Sequence, residues 1–305
     1  MLDLDSQLAI IRKYDKMFTV QLAHGDNLID EIMSDIHKKL YTELNDKALD
    51  FATTNGILDF STMNLTKAAE FDKIFEKYRG ELRRTLEMRY IPQIEKFYEL
   101  ARDYYTELGF TDAVAVANRV KPLLFQAIGL TEKGNILQGS FYDKFIGLQK
   151  VTRYGVDTVT MAISSKKGLV ELRKDLKNSI YPDKRALSKM IERDYLALYD
   201  IFNQAHEMAN RELAVELGLE YFIYQGSLIT TSRPFCTAHA GRVYSVAHAR
   251  KYWPNSPLLR FPNRALYDFS IHRGGIRCRH WIRYISKDAA FALGYDPEKE
   301  KFDKQ

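Results

Sequence analysis

The chain has little of what would mark it as secreted, membrane-spanning or fibrous. It has 2 cysteines in 305 residues, too few for a disulfide framework, so paired Cys and His read as metal ligands or buried thiols in a reducing compartment. No stretch approaches the roughly 20 consecutive apolar residues that a membrane-spanning helix needs. The opening residues MLDLDSQLAIIRKYDK have neither the basic start nor the apolar centre of a secretion signal. A soluble protein made in a cytosol, with no membrane partner, is the expectation. Internal repeats and low-complexity tracts are absent, and a hydrophobic content of 46% is that of a globular protein with a real core. Acidic residues are missing from one long segment. Between Gln225 and Ile285 only Asp268 is acidic, against Arg233, Arg242, Arg250, Lys251, Arg260, Arg264, Arg273, Arg277, Arg279 and Arg283. That segment is strongly basic in a chain whose formal net charge is only +5, and clustering of this kind is the footprint of a nucleic-acid or acidic partner.

Residues 1 to about 220 read as helices. Phe71, Ile74, Phe75, Tyr78, Leu82 and Leu86 are spaced to stack on one helix face, with Lys73, Glu76, Lys77 and Glu81 left for water. Ile191, Tyr195, Leu198, Phe202, Ala205 and Ala209 keep a similar rhythm, after Pro182 has ended whatever precedes it. Between these stretches, Gly129, Gly134, Gly139, Gly147 and Gly155 predict loops, a short hairpin or a hinge. Near Gly218 the composition changes: Leu219–Thr230 is aromatic and β-branched, Gly241–Ser245 reads as a short strand, and Cys278–Ile285 alternates, with Trp281, Arg283 and Ile285 on one face and Ile282 and Tyr284 on the other. The fold class is therefore α+β: a mainly helical N-terminal body over 1–185, a small, loop-rich mixed α/β module over 186–290, and a tail over 291–305. Such a module has little to bury and is the kind of unit a metal can staple.

Both cysteines have a histidine close by, Cys236 with His239 and Cys278 with His280. Two thiolates and two imidazoles in two tight pairs make the ligand set of a closed tetrahedral zinc site, provided the fold brings the pairs together. The plainer alternative is a turn stapled without metal, its thiols simply buried. A sharper one is a Cys–His nucleophilic dyad. His248 and His272, with Asn263, Asp268 and His280, raise a metal-dependent nuclease as a further reading. The arginines, above all Arg233, Arg242, Arg277, Arg279 and Arg283, suit two-pronged contacts to phosphate or carboxylate, and Tyr252, Trp253, Tyr267 and Trp281 lie among them.

The order of these features resembles a known family. A helix with Ile191-Glu192-Arg193 and Ala209-Asn210-Arg211 is followed by Leu217-Gly218-Leu219, a strand, Ser232-Arg233-Pro234, Cys236-x2-His239, Gly241-Arg242-Val243-Tyr244 and Gly275-Ile276-Arg277-Cys278-Arg279-His280. This is similar to the phage head morphogenesis family, the minor head proteins similar to the F protein of bacteriophage Mu. Members show an Arg-containing turn, a Cys-x2-Cys or related pair, a Gly-Lys-x-aromatic strand and a closing Asn-Cys-Arg-Cys. Here His replaces the second Cys of each pair and Arg242 replaces the lysine, and the exchange at both places keeps a four-ligand zinc set. The resemblance covers roughly residues 185 to 285. It implies a minor capsid component of a tailed phage or prophage, found in the virion and, during assembly, in the host cytoplasm. Such a protein docks on the portal and other capsid components and acts in head assembly or DNA packaging and delivery; the basic module would then face packaged double-stranded DNA, without sequence preference, or an acidic partner surface. It carries no catalytic residue across. The competing reading is a metal-dependent nuclease or toxin-like enzyme carried by a phage.

Overall fold

Apolar residues repeating every three or four positions dominate the first two thirds of the chain, and they form helices. A computed structural model describes residues 2–50, 55–57, 65–147, 157–158, 161–162, 165, 167–180, 189–275 and 278–300. The helices ahead of the first strand are α1 (Leu4–Leu49), α2 (Leu65–Thr85), α3 (Ile91–Glu107), α4 (Ala113–Ala127), α5 (Phe141–Gly147), α6 (Leu169–Ile180) and α7 (Lys189–Glu216). A single π turn, Leu86–Tyr90, joins α2 to α3. Then come β1 (Tyr221–Gln225), α8 (Pro234–His239), β2 (Val243–Ser245), α9 (Val246–Tyr252), α10 (Phe269–His272), β3 (Trp281–Ile285), α11 (Lys287–Ala292) and α12 (Pro297–Glu300). The α+β architecture with a helical N-terminal body is as expected. The glycine-rich stretch after Gly129 holds turns and then the short helix α5, while residues 148–156 lie outside the described residues.

The chain divides into two compact units, and the division does not fall at residue 185. One unit comprises 27–91 and 135–196. Its core is built from the second half of α1 (Ile29, Ile32, Met33, Ile36, Leu40, Leu44), from Ile74, Tyr78, Leu82, Leu86 and Tyr90, and from Leu172, Leu176 and Ile180. The side chains of Phe71 and Phe75 lie outside the described residues. Ion pairs decorate its surface, among them Lys77–Glu43 at 2.5 Å and Lys39–Glu81 at 2.6 Å. Exposed pairs of this kind contribute little each.

The other unit comprises 1–26, 92–134 and 197–305. The C-terminal sheet therefore shares its unit with helices from the N-terminal body. The sheet order is β2-β1-β3, antiparallel throughout, with Phe222 opposite both Tyr244 and Tyr284. Alternation gives it two faces. On one, Phe222 and Tyr224 pack edge-on against Trp253, each with ring centres 5.5 Å apart. On the other, Trp281 meets Phe18 of α1 at 4.9 Å, and Phe18 meets Phe97 of α3 at 5.4 Å. With both faces covered, all five residues of β3 are buried. On α7, Leu198, Phe202, Ala205 and Ala209 are buried as their spacing predicts, and the side chains of Ile191 and Tyr195 lie outside the described residues.

One contact fixes how closely α1 and α7 approach. A Cβ added to Gly25 would stand 2.5 Å from the Phe202 ring, whereas one added to Gly80 in α2 would meet nothing within 4 Å. In a helix interior alanine is otherwise better than glycine by about 0.5–1 kcal/mol. Gly80→Ala is therefore expected to stabilise the chain by that amount. Gly25→Ala should destabilise it, the overpacking cost of about 1–3 kcal/mol exceeding the helix gain. Urea unfolding of the two variants beside the parent checks the opposite signs.

Candidate metal centre

Two local rules bring the cysteines together. Pro234 opens α8 at a position where its fixed φ and missing N–H cost nothing, which presents Cys236 from the first turn. Cys278 and His280 lie two apart in extended chain leading into β3, so they share a side while Arg279 points out, its side chain 74% exposed. The Cys236 and Cys278 sulfurs are 3.7 Å apart, and the Cys278 sulfur is 3.8 Å from His280 Nδ1. Cys236, Cys278 and His280 form a buried cluster able to hold a metal ion, the single group of three or more His, Cys, Asp or Glu ligands to do so among the described residues. His280 Nε2 is buried with no hydrogen-bond partner.

The fourth expected ligand, His239, is not a member of this cluster. Its Nδ1 is 2.7 Å from the Tyr244 hydroxyl, and its ring lies on Phe235 and Trp253, with centres 4.2 and 5.0 Å away. Burial, then the charges of Arg242 and His248, push its pKa down to about 4, so it is a neutral imidazole in an aromatic layer. The i, i+3 spacing on α8 allowed both residues to face the site. The Tyr244 hydroxyl, placed by β2, decides otherwise.

Three residues close over the thiols. Arg273, at φ 50°, is the one described residue other than glycine in the left-handed region. It is 1% exposed and donates to the Cys278 carbonyl at 3.2 Å. Gly274 follows, and a Cβ there would be 2.5 Å from the Cys236 sulfur and 3.1 Å from that of Cys278. Gly275, at φ 106°, passes so close to Arg260 that a Cβ would be 2.6 Å from its carbonyl oxygen. The sulfurs thus occupy the space a side chain at Gly274 would fill, while Gly275 leaves room for the Arg260 carbonyl. Burial pushes the Cys278 thiol up, but hydrogen bonds from Cys236 and His280, the Arg273 charge and the Tyr224 hydroxyl outweigh it and hold Cys278 well below an ordinary thiol. Cys236 is held high by that same hydrogen bond to Cys278 and by burial. A metal ion needs thiolate, and both sulfurs lie where they could supply it.

No protein-family model, curated protein or solved structure matches this chain.

The other expected site residues scatter. Asn263 caps Ala265 N at 3.2 Å. Asp268 accepts from Ser270 N at 2.8 Å and pairs with Arg211 at 2.9 Å. His272 Nδ1 accepts from Asp268 N at 2.8 Å, and His248 stacks on Tyr244. These are turn-capping and packing contacts, and they do not converge on one centre. Of the arginines, Arg242 and Arg279 are exposed and Arg233 is half-buried, donating to the Gly274 carbonyl at 3.1 Å. Arg277 lies outside the described residues. Arg283, expected as a partner contact, is 1% exposed: it reaches Asp15 Oδ1 at 3.3 Å and lies 4.8 Å over the Tyr104 ring. Its place in a doubly covered strand removes it from any partner.

Sequence reading missed the polar network behind the site. Glu207 on α7 is fully buried and accepts from Ile282 N at 3.2 Å. Asn210, one turn on, donates to the Ile282 carbonyl at 2.5 Å, and the Tyr104 hydroxyl donates to the Tyr284 carbonyl at 2.8 Å. The detectable signal was Asn203, His206, Glu207 and Asn210 recurring at helical spacing on the apolar face of α7. Desolvation raises the Glu207 pKa to about 8 against the opposing charges of Arg273 and Arg283. Its folded pKa lies above its unfolded one, so the folded chain holds a proton that the unfolded chain has released. This contribution to stability is full below about pH 4.5 and falls as pH rises towards 8, by several kcal/mol in order of magnitude. Glu207→Gln keeps a carbonyl acceptor and removes the titration. Its stability should exceed that of the parent increasingly from pH 5 to pH 9, as read from denaturant midpoints across that range.

Proposed function

We propose that the chain is a minor capsid protein of a tailed phage or prophage, docking on the portal during head assembly or DNA packaging and delivery, with a zinc-stapled basic module as its working end. The observation that carries this reading is the meeting of the two resemblance-bearing segments, 232–244 and 275–280, at the sulfurs of Cys236 and Cys278, 3.7 Å apart. Residues far apart in sequence that were singled out by likeness to the minor head proteins thus share one small buried cluster. Zinc is the ion favoured by two thiolates and an imidazole in a closed, buried, redox-silent position. Its role is structural, tying α8 to the approach of β3.

The module's outer surface supports a phosphate-rich partner. Arg242, Arg250, Lys251, Arg260, Arg264 and Arg279 are exposed, and guanidinium groups bind backbone phosphates without reading sequence. Duplex DNA is the partner proposed for this face.

Elemental mass spectrometry of the reduced protein is expected to give one zinc per chain, lost in Cys236→Ser and Cys278→Ser and retained in His239→Ala. Loss of zinc from the His239 variant would restore the four-ligand set drawn from the sequence. For the assembly role, the chain should be recovered with portal protein from purified heads of the phage or prophage that encodes it, and absence from heads and their precursors would overturn it. Fluorescence anisotropy on duplex DNA should show weak binding that falls steeply with salt, and each of Arg242→Ala and Arg250→Ala should lower the slope of log affinity against log salt by about one. Salt-independent binding, or none at low salt, would remove DNA as the partner.

A further inference from the structure

With His239 facing Tyr244, three protein ligands stand where a closed zinc site has four. The Tyr224 hydroxyl, near the end of β1, lies against both sulfurs. It is 3.2 Å from the Cys278 sulfur and 3.5 Å from that of Cys236. Its ring lies parallel to the His280 imidazole, at an angle of 7° with centres 5.2 Å apart. Gly226, just beyond β1, allows this: a Cβ there would be 2.9 Å from the His280 backbone.

These distances can be compared with the edges of a coordination tetrahedron. Metal–sulfur bonds of about 2.3 Å and metal–nitrogen or metal–oxygen bonds of about 2.0–2.1 Å give edges of about 3.8 Å between two sulfurs and about 3.5 Å between sulfur and nitrogen or oxygen. The observed edges are 3.7 Å between the sulfurs, 3.8 Å from sulfur to nitrogen, and 3.2 and 3.5 Å from sulfur to oxygen. All four agree with the expected edges to within about 0.3 Å. A phenol that hydrogen-bonds here can donate to one sulfur and accept from the other, and a phenolate ligand stands at the same distances from both.

We infer that Tyr224 is the fourth ligand, joining the two cysteines and His280 in a four-coordinate site for a zinc-class divalent ion through its phenolate oxygen. The inference rests on the zinc reading above and adds a residue to it. Binding forms one metal–oxygen, one metal–nitrogen and two metal–sulfur bonds, and any proton still on the two thiols and the phenol leaves to solvent, with no change of oxidation state. Two thiolates and a phenolate around a divalent ion carry one net negative charge. A buried anion of that size requires a nearby cation. Arg273 supplies it: the side chain is 1% exposed, donates to the Cys278 carbonyl at 3.2 Å, and has a buried Nε without a hydrogen-bond partner. The left-handed backbone at Arg273 and the absence of a side chain at Gly274 are the local conditions that let a guanidinium and two sulfurs share this corner.

The test uses the full chain, reduced and stripped of metal by a chelator, titrated with zinc ion at neutral pH. The near-ultraviolet difference spectrum and the protons released into a weak buffer are followed together. The parent is expected to develop a tyrosinate band saturating at one zinc per chain. It should also release one proton more than Tyr224→Phe, which binds zinc about 10–100-fold more weakly and gives no band. The parent titration stands alone if the variant fails to fold, because the band itself reports the phenolate. Stoichiometric zinc uptake without a tyrosinate band would overturn Tyr224 as a ligand and leave the site of two cysteines and one histidine intact. Reduced, folded protein that takes up no zinc would overturn both.

Discussion

The unit that carries the candidate metal centre depends on how the outer edge of β3 is satisfied. A three-stranded sheet ordered β2-β1-β3 leaves β3 with one row of backbone donors and acceptors facing no strand, and a buried edge of that kind costs free energy at each unpaired group. Here helix side chains take the place of a fourth strand. Glu207 accepts from Ile282 N, Asn210 donates to the Ile282 carbonyl, and Tyr104 donates to that of Tyr284. The arrangement lets β3 lie under helices on one face and under the Trp253 layer on the other, and it sets the approach of Cys278 and His280 towards α8. It also explains the acid kept in an apolar interior. Glu207 is held there by its place on α7 and by the backbone group it serves.

Much of this architecture is legible in the sequence, because burial acts on periodicity. The rhythm of Leu198, Phe202, Ala205 and Ala209 predicts the buried stripe of α7. The alternation of Trp281, Arg283 and Ile285 against Ile282 and Tyr284 predicts the two faces of β3. Spacing does not show what lies against each face. Alternation alone cannot tell a half-covered strand from one enclosed on both sides, so Arg283 reads as a surface cation although Asp15 and Tyr104 enclose it. The division of the chain fails in the same way. Composition changes near Gly218, but compactness follows contacts, and the sheet takes its cover from α1 and α3.

At the candidate metal centre, ligand type was readable and ligand choice was not. Cys236, Cys278 and His280 converge, whereas the His239 ring is claimed by the hydroxyl of Tyr244. That competition is settled by a residue on a neighbouring strand, five positions away in sequence. Charge shows a related gap between chain and surface. A segment rich in arginine places Arg273 and Arg283 inside, where they balance acids and thiols, and the basic surface is correspondingly smaller than the count of residues suggests.

The ion pair between Asp15 and Arg283 spans 268 positions. A ribosome makes the first half of α1 long before the strand it must cover, so this unit cannot close until β3 has left the exit tunnel. Contacts of such high sequence separation slow folding, because the entropy of loop closure is lost before any burial offsets it. Until then the part of the Phe18 face that Trp281 covers lacks that cover. Late closure ties the completion of the candidate metal-binding corner to the synthesis of β3, and no nascent chain that stops short of that strand can make the corner whole.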